Sequence, residues 1–203
     1  HFVNDQHGSA GTSLNARKPG EYVSFANKTW RIVKSGPVTR LVLDSYFTEN
    51  GSYAQVKFGT VGSFNTKSGI GNYLNTTVYN SLFNTAEKNA LVKAKWYYNT
   101  YAIGQNPITT TLVNSSKVTE AYVGLVRVGD IMSGSSSTSR VNKFTSWTLN
   151  SSYENVWYTT WGGTSDYSSP SSVRGVKPVI ELNSRVTIRS GNGTSTNPYT
   201  LNY

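Results

Sequence analysis

Histidine, the side chain best matched to proton transfer near neutrality, occurs only at His1 and His7. Both fall in a stretch with no hydrophobic period. A Ser–His–Asp triad or a histidine metal site therefore has no source in the body of the chain. Cysteine is absent, which removes thiolate nucleophiles, thiolate metal sites and disulfides together. Acid–base chemistry is left to ten carboxylates. None stand together as an obvious pair, and Glu154 and Asp166, on either side of Val156–Trp161, come nearest to a glycosidase couple. No catalytic residue is assigned, and the chain is expected not to be an enzyme.

Binding chemistry has more to draw on. Aromatic residues make up 13% of the chain, and Tyr153, Trp157, Tyr158, Trp161 and Tyr167 crowd around one Gly/Ser-rich stretch, residues 162–172. A tyrosine or tryptophan offers a broad apolar face and a polar tip, which suits sugars, peptides or bases. These five are the expected ligand-binding residues. The competing reading is packing: with period two, Trp157 and Trp161 face a core while Tyr158 points outwards. The net charge of +9 invites anionic partners, but the nineteen cations are dispersed and no run of five like charges occurs. A specific nucleic-acid role is therefore disfavoured. The expected partner is a surface ligand: a glycan, an anionic polymer or a host protein.

These side chains need a scaffold, and 203 residues suffice for one well-buried domain. Alternation predicts strands at 21–25, 28–34, 39–45 and 53–58. Ile70, Tyr73, Leu74, Val78 and Leu82 lie at helical spacing. Asn84 followed by Glu87 has the form of a capping box opening a second helix, with Leu91 on its buried side. Residues 93–98 return as a strand, and further strands are predicted at 121–128, 144–149, 155–161, 173–182 and 186–189. Within 173–182, Val176, Pro178, Ile180 and Leu182 alternate with Lys177, Val179 and Glu181, as in a strand with one dry face. Pro178 donates no N–H and so points to an edge or a bulge. Asn192-Gly193 supplies positive φ values for a tight turn. Long polar loops, 133–139 and 162–172, separate the later strands. Residues 1–18 read as a flexible tail or linker, and residues 19–203 as the folded unit.

Several of these segments resemble, in order, one family of bacterial domains. They are Pro19-Gly-Glu-Tyr-Val-Ser-Phe25 with Thr29-Trp-Arg-Ile-Val33, then Leu41-Val-Leu-Asp-Ser45, then Ile70-Gly-Asn-Tyr-Leu-Asn75. Lys117–Asp130, Phe144–Leu149 and the ending Val173–Tyr203 complete the series. The family is that of Gram-positive surface and pilin-associated domains with a C-type-lectin-like fold, shared with formylglycine-generating enzymes. The resemblance implies an α+β fold of that type, with N- and C-terminal strands paired, two short helices, and Trp30, Trp96 and Trp147, which sit in its strand motifs, in the core. It also implies secretion and display at a cell surface or pilus, and a part in cell adhesion. Sugar-binding lectins of this fold hold calcium with Glu-Pro-Asn or Gln-Pro-Asp and Trp-Asn-Asp. Neither motif occurs; Gln105-Asn-Pro107 has the types in the wrong order, so no metal and no cofactor are expected. Formylglycine-generating chemistry relies on cysteine and is excluded by composition. The expected function is a non-catalytic binding or adhesion module, with a structural pilin or surface-layer subunit and a carboxylate glycan hydrolase as alternatives. No stretch is long and apolar enough to span a membrane, and the start at His1 reads as a mature or excised fragment.

Overall fold

The computed structural model describes residues 8–101, 117–127, 146–152, 154–159 and 165–203. The first hairpin joins β1 (Tyr22–Phe25) to β2 (Lys28–Lys34) through Ala26 and Asn27, at φ 52° and 55°. Two consecutive positive φ values define a turn whose twist matches the strands it connects. Asn50-Gly51 repeats the device, at φ 50° and 76°, between β4 (Thr48–Glu49) and β5 (Ser52–Tyr53). Further on, β2 pairs with β3 (Thr39–Leu43), β3 with β14 (Val179–Leu182), and β14 with β9 (Val123–Gly124). Every neighbour in this five-stranded sheet is antiparallel.

The second sheet runs β12 (Ser165–Ser168), β11 (Asn155–Thr159), β10 (Ser146–Ser152), β13 (Val173–Gly175) and β6 (Gln55–Lys57). The start of β10 pairs in parallel with β13, and its end pairs in parallel with β7 (Ala94–Tyr101), which continues to β8 (Lys117–Ala121). Two ladders lie outside both sheets: β4–β5, and β15 (Thr187–Ser190) with β16 (Thr200–Asn202).

The expected first helix is present but changes pitch. Helix α1 (Gly69–Tyr73) passes through a π-helical turn, Leu74–Val78, into α2 (Tyr79–Leu82). Within that turn Asn75 acts as a strand partner. Its carboxamide donates to the Val123 carbonyl at 2.9 Å and accepts from the Val123 N–H at 3.0 Å. Helix α3 (Thr85–Ala90) opens on the expected capping box, Glu87 N–H to Asn84 at 2.9 Å and Asn84 N–H to Glu87 at 2.6 Å. Mostly sheet with a few short helices, the fold is α+β.

The core joins the layers. Trp30, Trp96 and Trp147 are all buried, as the motif resemblance implies. Each indole N–H is satisfied, by the carbonyls of Phe25, Ala121 and Val56 respectively. Trp96 lies so close to Gly124 that a Cβ there would stand 2.2 Å from the indole ring. The first strand also meets the last segment of the fold, because Val23 and Tyr199 form a parallel bridge, with Ser24 N–H donating to Tyr199 O at 2.8 Å.

Several expectations require correction. Residues 8–18 are no loose tail: Gly11 N–H donates to Ile188 O, Ile188 N–H donates to Thr12 O, and Leu14 and Arg17 are buried. Arg17 carries an ion pair to Glu21 at 3.0 Å, which explains why a cation is tolerated there. Residues 173–182 are not one strand. β13 belongs to the second sheet and β14 to the first, and Val176–Pro178 carries the chain across. β14 has no wet face, since Val179, Ile180, Glu181 and Leu182 are all buried. Pro178 marks neither an edge nor a bulge; it precedes β14, where its missing N–H costs no ladder bond, and its carbonyl accepts from Leu43 N–H. In the closing turn the positive φ values belong to Gly191 and Gly193 and not to Asn192. The loop expected at 133–139 lies outside the described residues. Part of the 162–172 loop is strand β12, stabilised by pairing along β11.

Candidate functional site

The aromatic segment is positioned by β10, β11 and β12, whose register decides which rings meet. Trp147 stands opposite Tyr158, and Trp157 opposite Tyr167. Residues directly opposite share a face, so these are two pairs on opposite faces of one sheet. The Trp147–Tyr158 rings meet edge to face at 6.2 Å, the Trp157–Tyr167 rings at 5.2 Å. The expected five-residue cluster is therefore divided. Tyr153 and Trp161 lie outside the described residues.

The packing alternative turns out reversed for the two residues that can be compared. Tyr158, with Val156, faces the core side, because Trp147 across the ladder is committed to Phe58 and to the Val56 carbonyl. Trp157 points to the other face. Its indole nitrogen is buried without a hydrogen-bond partner among the described residues. Tyr167, on the outermost strand β12, is 50% exposed.

Arg174 completes the Tyr158 side and was not anticipated. Its guanidinium lies 4.4 Å from the Tyr158 ring centroid and 5.9 Å from that of Trp147. One terminal nitrogen donates to the Val173 carbonyl at 2.9 Å, while Nε is buried without a partner among the described residues. A cation over a ring face is held by the ring quadrupole, which fixes the plane of both groups. Nothing in the order Val173-Arg174-Gly175 signals this, because the contact depends on Gly175 pairing with Ser146.

The carboxylates do not converge here. Asp166 faces Tyr158 across the ladder, with its carboxylate 3.5 Å from the phenol oxygen. Glu154 lies four positions from Tyr158 along the β11 direction, roughly 13 Å at strand rise. Glycosidase pairs stand about 5–9.5 Å apart. Other acids serve the fold: Glu21 holds Arg17, Glu87 caps α3, and Glu181 holds Arg40 at 2.7 Å. Among the described residues no three His, Cys, Asp or Glu gather as a metal site would require, and no helix is long and apolar enough to cross a membrane.

A second unanticipated group lies at the crossing between the sheets. Lys177 sits 5.7 Å from the Tyr46 ring centroid. Burial pulls its pKa down to about 8; Asp44 opposes that shift and Arg31 adds to it. Burial likewise pushes the Tyr46 phenol up, with Tyr53 adding to the effect.

Set against known proteins, the chain matches no family model, no curated sequence and no solved structure.

Proposed function

We propose that the chain is a non-catalytic binding or adhesion module of C-type-lectin-like architecture, displayed outside a Gram-positive cell or on its pili. The observation that carries the binding reading is Tyr167, which stays half exposed on the outermost strand while Trp157 braces it edge to face. A ring held in place before the ligand arrives loses little freedom on binding, which favours recognition. Tyr158 and Arg174, each partly buried on the core-side face of the same strands, leave a second, charged aromatic edge in reach of solvent. Support for the architecture comes from the ordered motifs, the helices that follow the N-terminal strands, and the Val23–Tyr199 bridge between the first strand and the last segment of the fold. Scattered carboxylates support the absence of catalysis.

The test is an array of glycans, teichoic acids and DNA, probed at low and high salt. Binding retained at high salt and lost in Tyr167→Ala or Tyr158→Ala is the expected result. Binding that vanishes with salt in every case reduces the surface to diffuse cationic attraction. Fibres that form without ligand favour a structural subunit, and turnover of a chromogenic glycan favours a hydrolase. Surface labelling of intact cells with an antibody to the domain checks the compartment.

A further inference from the structure

A cavity of about 400 Å³ opens between the C-terminal end of α3, the turn after β14 and the end of the chain, within the size range of small-molecule sites. Its walls are fixed. Asn183 donates its N–H to Ala90 O at 2.9 Å and its carboxamide N–H to Asn89 O at 3.2 Å. The same carboxamide accepts the Arg185 N–H at 3.0 Å, so the turn that presents Arg185 is tied to the helix end. On the far wall the Tyr203 ring meets Phe25 edge to face at 5.1 Å. Methyl groups of Ala86 and Ala90 line the apolar part.

The polar groups left over define a ligand. The side chains of Asn89, Arg185 and Asn202 line this space and make no hydrogen bond or ion pair with the described residues. Two carboxamides can each donate and accept, which matches neighbouring hydroxyl groups. A guanidinium only donates, in a planar fork that fits a carboxylate. A half-exposed tyrosine ring and two methyls suit the C–H face of a pyranose. None of the lining side chains is a carboxylate, although the Glu87 carboxylate acts on the Tyr203 phenol. We propose that this pocket binds a sugar residue bearing a single carboxylate, of the uronic-acid class, with Arg185 on the acid group and Asn89 and Asn202 on the hydroxyls. The site is separate from the β11–β12 surface and does not depend on it.

The experiment is an NMR titration of the isotope-labelled chain with glucuronic acid, glucose and N-acetylglycine at matched ionic strength. Shifts confined to residues 86–90, 183–185 and 202–203, with glucuronic acid at least about tenfold tighter than glucose, are expected from one charge-assisted pair. Arg185→Ala should bring glucuronic acid down to the glucose level. Arg185 is exposed and without a hydrogen-bond or ion-pair partner among the described residues, so the variant's melting temperature should not move. Tyr158→Ala should leave these shifts unchanged even if it abolishes binding in the array. Equal affinity for glucose and glucuronic acid, equal affinity for N-acetylglycine, or no shift with any of the three would each overturn the assignment.

Discussion

Strand β14, inside the first sheet, and strands β11–β12, at the margin of the second, both carry large side chains, yet they use them differently. All four residues of β14 are buried, and its one acid is neutralised by Arg40, whose guanidinium also lies 4.5 Å from the centre of Trp96. Along β11 only Val156 is fully buried, and on β12 Tyr167 is half exposed. Apolar area in the first sheet goes into cohesion; in the second, part of it is held at the surface by ring-to-ring contacts. Substitutions in the two regions should therefore separate stability from binding.

The largest effect is expected at Trp30, which is fully buried, hydrogen-bonded to Phe25 O and stacked on Phe83 at 6.1 Å. Trp30→Ala should lower unfolding free energy in urea by about 3–5 kcal/mol. A smaller loss would mean that the first sheet is looser than its burial indicates. Glu181→Gln should cost about 3 kcal/mol, since it leaves the Arg40 charge in a site with little water. A double-mutant cycle with Arg40→Met measures how much of that is the pair itself.

Lys177 gives a pH signature to the crossing between the regions. Below pH 8 the amine is charged in both states, so the cost of burying it is present in full and does not vary with pH. Between its folded value of about 8 and its ordinary value of 10.5, the unfolded chain holds more protons and stability rises with pH. Burial of the Tyr46 phenol works the other way at higher pH, because the unfolded phenol ionises first. Lys177→Met should stabilise the protein at pH 7 by at most about 3 kcal/mol and abolish the rise above pH 8. Melting temperatures from pH 6 to 10 test this; a rise that persists in the variant assigns it to another group.

Asn84→Ala, which removes half of a capping box and touches none of the β10–β12 aromatic pairs, should cost about 1 kcal/mol with binding at the β11–β12 surface unchanged. Tyr167→Ala should do the opposite. Its stability change should stay within about 0.5 kcal/mol, as for an exposed position, while high-salt binding falls. A large loss of stability instead would mark the Trp157–Tyr167 pair as packing.

Much of the local structure was legible in advance. The capping box at Asn84 and Glu87 and the alternating strands of the first hairpin needed only nearest neighbours in sequence, while the buried tryptophans followed from the motif resemblance. Asn50-Gly51 carries an equally plain hairpin signal. The candidate site was legible only as an aromatic concentration. Period two states that Trp157 and Tyr158 lie on opposite faces, and it is silent on which face is dry. Pairing with Trp147 decides that, and Trp147 is itself directed by Phe58 and Val56 from a strand some ninety positions earlier.

By itself, then, the amino-acid sequence determined the local elements, the absence of cysteine chemistry and the lack of histidine outside the first residues. Each of these follows from residue type or from neighbours within a few positions. Only the tertiary structure decided that residues 173–182 divide between two sheets, that residues 8–18 are bound to β15, and that Arg174 lies on Tyr158. Those outcomes depend on strand pairings between distant segments, where competing registers satisfy the same local pattern and only the packed whole selects among them.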